Sequence, residues 1–306
     1  MILLRDVGKT YRTLLRRRPV RAVEEFSLEI ETGEIFGIAG PNGAGKSTLI
    51  SLLLGFLRPT AGAVTIDGLA PRAYVEARGA GYLSELVAIP PRWSVEGALV
   101  RYAVLAAVPP ADRAGRVHRV IEQLGLEEHR NKRIKQLSKG NLQRLGLAQA
   151  LLSESDLVIL DEPTHGFDPL WTQRFRDIGR SLKRPGRTVV IASHNLDELE
   201  RVADRVGIID RGRLQQIALI GAQATGSLAR YRLVVAATSP AVAEAFPGAA
   251  AAADGRAEEY LVPPVDLPTL NAGLRWLIDA GVQIVAVVPE RSRLETAFRQ
   301  AVGADQ

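Results

Sequence analysis

Nine consecutive residues, Gly40-Pro41-Asn42-Gly43-Ala44-Gly45-Lys46-Ser47-Thr48, carry the densest chemical signal in the chain. They fit the pattern G-x-x-x-x-G-K-[ST], a loop that wraps phosphate. Glycines let the backbone curl until several N–H groups point inward at phosphate oxygens. A helix beginning near Lys46 would add the positive end of its dipole. Lys46 then offers an ammonium to the β- and γ-phosphates of a nucleotide, and Ser47 a hydroxyl to Mg²⁺. A plain glycine turn with an exposed lysine is the competing reading, and the strand and helix expected on either side disfavour it.

Two further groups belong with this loop. The apolar run Leu157-Val158-Ile159-Leu160 ends directly in Asp161-Glu162. Ligands bind at the carboxyl ends of strands in open α/β sheets, so this pair of acids is well placed. Asp161 suits Mg²⁺, which favours oxygen ligands and keeps several waters. Glu162 is a candidate to orient or deprotonate an attacking water. Alone, such a pair reads as a helix cap or surface turn; beside a phosphate loop the catalytic reading prevails. His194, in Ala192-Ser193-His194-Asn195, follows another apolar run and is a candidate contact for the γ-phosphate or that water.

The elements that must position these groups follow from periodicity. Residues 2–7, 27–30 and 63–66 alternate as strands, and 35–39 is an apolar strand leading into the glycine loop. A helix is expected over 46–57. Helices dominate from Trp93 to about Glu128, interrupted by Pro109-Pro110. Residues 157–160, 188–192 and 206–209 are fully apolar, as strands of a parallel sheet covered on both faces are. Alternating strands and helices make the core α/β. Past about residue 218 the character changes, with an alanine-rich stretch at 249–253. Strands are expected at 231–236, 259–262 and 283–288, and helices at 267–280 and 294–302. This second unit shows no recognisable chemistry and reads as a small accessory or dimer-stabilising domain.

Bulk properties narrow the class. With 306 residues the chain exceeds a usual single core, so a large and a small domain are expected. The absence of cysteine excludes disulfides and thiolate metal sites and fits a reducing compartment. The first charge comes too early for a secretory signal, and no run approaches the ~20 apolar residues of a membrane helix. Any membrane role would therefore need a partner. The net charge of +5 is mostly scattered arginine, and the Arg16-Arg17-Arg18 run reads as a solvated loop or a lipid-headgroup contact.

Leu137-Ser138-Lys139-Gly140-Asn141-Leu142-Gln143-Arg144 resembles the LSGGQ signature of ATP-binding-cassette proteins. The order of the other motifs is similar to that family. Tyr11 stands at its adenine-stacking ring, and Gly81-Tyr82-Leu83-Ser84-Glu85 at its Q-loop. Gly166-Phe167-Asp168-Pro169 looks like its D-loop, and His194 its switch histidine. The resemblance covers about residues 1–220. It implies a P-loop cassette with a mixed core sheet, a helical subdomain at about 86–140 and a small C-terminal α+β domain at 221–306.

It also implies ATP and Mg²⁺ as ligands, with Ser47, Glu85 and Asp161 toward the metal. Ser138, Lys139, Gly140, Asn141 and Asp168 would face the nucleotide of a second copy, in a homodimer closed by ATP. Lys139 stands at a glycine of the signature, Asn141 at its glutamine, and Glu85 at the Q-loop glutamine. Glu85, the Ser-Lys-Gly signature and Arg293-Leu294-Glu295-Thr296-Ala297-Phe298 are similar to the branch that exports drugs, lipids or polysaccharides. The implied role is a peripheral motor on the cytoplasmic face of the membrane, driving a polytopic membrane subunit. A nucleic-acid or ribosome clamp would carry two cassettes or a coiled-coil insert. A non-transporting regulator is the alternative, and a small-molecule kinase would leave the signature unexplained.

Overall fold

The computed structural model describes residues 1–12, 19–220, 229–251, 258–289 and 293–302. The Arg16–Arg18 run and the end of the alanine-rich stretch lie outside the described residues. Two compact units emerge, Met1–Ala218 and Leu219–Ala304.

The first unit opens with β1 (Ile2–Tyr11) and β2 (Val20–Ile30), each longer than its alternation suggests. Asp6 and Glu25 adopt left-handed φ of 48° and 47°, and the β1–β2 register shifts between Leu4 and Val7. Bulges of this kind interrupt the two-residue period without ending the strand. The pairing reaches as far as Tyr11 beside Val20. Next come β3 (Ile35–Ala39), buried throughout, and α1 (Lys46–Leu53). The helix stops earlier than expected, because its carboxyl end turns at Gly55, which has φ 71°. β4 (Ala61–Ile66), α2 (Pro71–Arg78) and the short β5 (Gly81–Leu83) follow.

α3 (Val95–Leu105) starts at Ser94, whose hydroxyl caps Gly97 N–H. Pro109 and Pro110 open α4 (Pro110–Gln123), where a first-turn proline loses no hydrogen bond. After two 3₁₀ turns, α5 (Lys139–Leu151) leads to β6 (Leu157–Asp161). Then come α6 (Pro169–Ser181), β7 (Thr188–Ser193), α7 (Leu196–Val202), β8 (Arg205–Asp210) and β9 (Arg213–Leu219).

Six strands form the central sheet in the order β5-β6-β7-β3-β8-β9, parallel from β5 through β8. The two-residue turn Arg211-Gly212, with φ of 47° and 78°, makes β9 the antiparallel return of a hairpin. A second, antiparallel sheet of order β2-β1-β4 shares a core with α1 and the central sheet through Phe26, Phe36, Leu49 and Ile159. The sheet system is mixed and the class α/β. The order has a direct consequence: β3, β7 and β6 are neighbours, with Ala39 beside Ser193 and Ala192 beside Asp161. The glycine loop, His194 and the acidic pair therefore emerge from one edge.

The second unit is an antiparallel sheet with helices. Its elements are β10 (Ala229–Val235), α8 (Ala241–Ala245), β11 (Ala250–Ala251), β12 (Glu259–Val265), α9 (Leu267–Asp279), β13 (Ile284–Pro289) and α10 (Arg293–Val302). The strands run in the order β11-β12-β10-β13. Leu233, Val262, Phe246, Leu270 and Leu277 form its own apolar core.

Candidate active site

The glycine loop runs from β3 into α1. Gly45 has φ 108°, and a Cβ there would stand 2.5 Å from the Ala22 carbonyl oxygen, so only glycine fits. A frame holds the loop from behind: Gly212 N–H donates to Ala44 O at 2.9 Å, and Glu24 N–H to Gly212 O at 3.0 Å. No side chain caps α1 and no acid sits in its first turn. Its leading N–H groups and positive end are thus presented to an anion.

Lys46 is buried and donates to Gly40 O at 2.7 Å and Pro41 O at 3.3 Å. Pro41 O also accepts from Ala44 N–H at 3.1 Å, while Asn42 and Gly43 are exposed at the loop tip. Tyr11, at the end of β1, places its hydroxyl 3.4 Å from Thr48 Oγ1, so the ring stands beside the loop's far end.

Asp161 and Glu162 close the site. Glu162 leaves β6 with φ 47°, a left-handed backbone for a non-glycine residue that turns its carboxylate across the sheet edge. There Oε1 accepts from His194 N–H at 3.0 Å and lies 3.9 Å from Lys46 Nζ. Oε2 lies 2.8 Å from His194 Nδ1 and accepts from Ser193 Oγ at 3.3 Å. Glu162, His194 and Lys46 form one cluster, in which the histidine ring keeps an exposed side. The Ser47 hydroxyl beside Asp161 favours its charged form, yet its pKa is pushed up to about 6 by burial first, then by Glu162 and Glu85. Lys46 pulls the other way without prevailing.

The signature segment lies at the start of α5. Ser138 is its N-cap, accepting from Asn141 N–H at 3.2 Å. Asn141 turns its amide inward, 2.8 Å from His129 Nε2 and bonded by Arg144. Gly140 packs on the Gly166 carbonyl, and the Lys139 stem lies against Gly166. Asp168 caps α6 by accepting from Trp171 N–H at 2.8 Å. Arg144 stacks 3.9 Å from the Trp171 ring centroid, joining α5 to α6. Lys139 and Gly140 thus meet Gly166, with Ser138 and Asp168 next to them in sequence, and among the described residues no hydrogen bond or ion pair joins these four to the Lys46 cluster.

A family model described as "ABC transporter" matches residues 23–165. The ATP-binding protein NatA of Bacillus subtilis is 30% identical, over 70% of this chain and 87% of its own length. The chain belongs to the ABC transporter ATP-binding family. An uncharacterised ABC transporter ATP-binding protein of Nostoc is 38% identical over 70% of this chain, and the match spans 65% of that relative. A methionine import ATP-binding protein of Thermobifida fusca and a Nod factor export ATP-binding protein of Rhizobium etli match at 35% and 33%, each over 68% of this chain, and over 66% and 65% of their own lengths. Among solved structures, the dimeric MJ0796 cassette superimposes with a TM-score of 0.66 at 24% identity, over 72% of this chain and 99% of that one. That likeness shows the cassette fold.

Among the described residues of the cassette, no three His, Asp or Glu side chains form a protein-only metal cage. Mg²⁺ does not require one, since it is commonly held by one or two protein oxygens, water and substrate phosphate. The Ser47 hydroxyl beside Asp161, with two more carboxylates raising the Asp161 pKa, is an all-oxygen, electron-rich donor set that fits such a cation.

Three residues of the cassette's site escaped sequence reading. Gln143 is buried on α5 and donates to Glu162 O at 3.1 Å, tying the signature helix to the acidic turn. Thr164 donates to Glu198, which is wholly buried and has its pKa pushed up to about 7 by that burial. The sequence Asn195-x-x-Glu198 reads as an exposed capping box. Asn195 does cap Glu198 N–H, but the Glu198 carboxylate points into the protein instead of back to Asn195. Gln143, a polar residue among the buried positions of α5, was the one readable signal.

Proposed function

We propose that this chain is the ATP-hydrolysing motor subunit of an ABC exporter, working as an ATP-closed homodimer beneath a polytopic membrane subunit. One observation carries the reading: Glu162 is held by His194 and faces Lys46 at the mouth of the phosphate loop. A carboxylate so restrained is suited to orient and deprotonate water in line with a γ-phosphate. His194 fixes the Glu162 carboxylate through Nδ1 and leaves its exposed Nε2 edge for the phosphate or the water. Lys46 exchanges its carbonyl partners for phosphate oxygens, and the leading N–H groups of α1 receive the rest of the triphosphate. Tyr11 supports the adenine ring beside Thr48.

Ser47 and Asp161 would hold Mg²⁺, with Glu85 nearby. When bound, the ion neutralises charge developing on the transferred phosphoryl group. Ser138, Lys139 and Gly140 would complete the site of a second copy, a reading supported by their separation from the chain's own phosphate loop. Export, rather than import, is favoured by Glu85 and the Ser-Lys-Gly signature. Among the described residues no helix is long and apolar enough to cross a membrane; the peripheral place at the cytoplasmic face follows from the motor reading.

The test is capture from solubilised native membranes with the Glu162→Gln variant in Mg-ATP, with Mg-ADP as the control. An ATP-dependent polytopic membrane partner is expected, and transport assays on that partner then report direction. Recovery of only soluble proteins or nucleic acid would overturn the motor reading.

A further inference from the structure

Away from the nucleotide site, α4, the loop between α5 and β6, and the loop between α6 and β7 line a half-open pocket of about 190 Å³. Four arginines line it: Arg116 and Arg119 from α4, and Arg184 and Arg187 from the α6–β7 loop. Glu154 is the single carboxylate in its wall. Three of the arginines have anionic partners. Arg116 and Arg119 lie 3.7 Å and 3.4 Å from Glu154, and Arg184 lies 3.3 Å from Asp156. The carbonyls there are also engaged: Arg116 donates to Leu152 O at 3.4 Å and Arg184 to Glu154 O at 2.6 Å.

Arg187 differs. It is only 8% exposed, and among the described residues its one side-chain hydrogen bond runs from Nε to Ser155 O at 3.1 Å. Its terminal amino groups have no protein acceptor there. Burial first, then the neighbouring Arg184, disfavour its charge, and Asp156 and Glu154 offset them only in part; a guanidinium nevertheless does not give up its proton in a protein. A buried cation that no carboxylate contacts directly is costly unless a further anion compensates it. Planar guanidinium groups converging from two sides match the oxygens of a phosphate, and Arg pairs with it bidentately.

We propose that this pocket is a second anion site, which takes a small free phosphate-bearing anion such as pyrophosphate and clamps α4 to the α6–β7 loop. Its size is below the ~300 Å³ of ordinary small-molecule pockets, which suits a small anion. The recess around Arg187 favours a soluble oxyanion. The site is independent of the phosphate loop, and bound anion would join helical and catalytic parts of the cassette at the carboxyl end of the signature helix.

The test is thermal unfolding of the full chain carrying Lys46→Ala, which weakens the phosphate loop's own affinity, titrated with inorganic pyrophosphate. A saturable rise in Tm of about 3 °C or more is expected. Adding Arg119→Gln and Arg184→Gln, both at partly exposed positions, should abolish it. Calorimetry on the Glu154→Gln form of the same protein should show several-fold tighter binding, because the one lining carboxylate is gone. No saturable rise, an equal rise with sodium chloride at matched ionic strength, or a rise that survives loss of both arginines would overturn the site. So would unchanged or weaker affinity in Glu154→Gln.

Discussion

The phosphate-loop end and the signature end of the cassette engage their polar groups in opposite ways. At the first, buried Lys46, Glu162 and Ser193 and the more exposed His194 are joined through the Glu162 carboxylate. At the second, Ser138 and Asp168 are helix caps whose partners are their own backbone, and Asn141 faces inward to His129 and Arg144. The first is a chemical centre ready to act on a bound triphosphate. The second is a scaffolded surface whose exposed groups find no ligand in their own chain. On the proposed reading, a head-to-tail pair of chains brings the two together.

The largest expected effect separates the two ends by chemistry. Glu162→Gln should lower ATP turnover by about 10²–10⁴-fold, the usual worth of a general base, with ATP binding retained. Turnover by phosphate release together with nucleotide binding by fluorescence would decide it. Near-normal turnover would move the base elsewhere. Lys46→Ala should weaken ATP binding by roughly tenfold or more, since a charge-assisted contact is worth about 1.5–3 kcal/mol. Equilibrium titration that finds unchanged affinity would break the phosphate-loop assignment.

Ser138→Ala probes the other end. It should slow turnover severalfold at high protein concentration and cost about 1 kcal/mol of stability through the lost cap, with ATP affinity of the monomer unchanged. A fall in monomer affinity would mean that the signature acts within its own chain, and the contrast would collapse.

The last effect, on pH dependence and not on turnover, concerns Glu198, which lies behind the first end. Its pKa rises from 4.5 to about 7 on folding, so the folded protein retains a proton that the unfolded chain has released. Below pH 4.5 the group contributes nothing to pH dependence. Between there and about pH 7 its contribution to stability falls as pH rises, and the full cost, at most about 3 kcal/mol, applies above that window. Glu198→Gln keeps an acceptor for Thr164 and should remove this slope, raising Tm at pH 8 more than at pH 5. Equal shifts at both would show that the carboxyl is not held neutral.

What the sequence made legible was whatever is contiguous. Residues 40–48 spell out a phosphate loop, and the apolar run into Asp161-Glu162 announces a covered strand with acids at its end. Relations between distant segments were not legible. Nothing in the chain order says that His194 Nδ1 meets Glu162, because that contact depends on β7 lying beside β6. The extent of β1 and β2 was hidden by bulges, where Asp6 and Glu25 break the alternation. Glu198 wore the spacing of an exposed cap while being buried. Arginines 116, 119, 184 and 187 read as scattered surface charge, and only folding gathers them around one pocket.

The Arg211-Gly212 turn carries one more consequence. Its Gly212 braces the glycine loop from behind, through Ala44 and Glu24, and β9 then continues as far as Leu219. A minimal fragment meant to bind nucleotide therefore cannot be trimmed at the last recognisable motif, His194. Ending it there would delete β8, the turn and the brace together, and leave the loop's residues all present but unsupported. A boundary placed after Leu219 retains that brace, and protease protection of the loop by nucleotide should survive in the longer fragment alone.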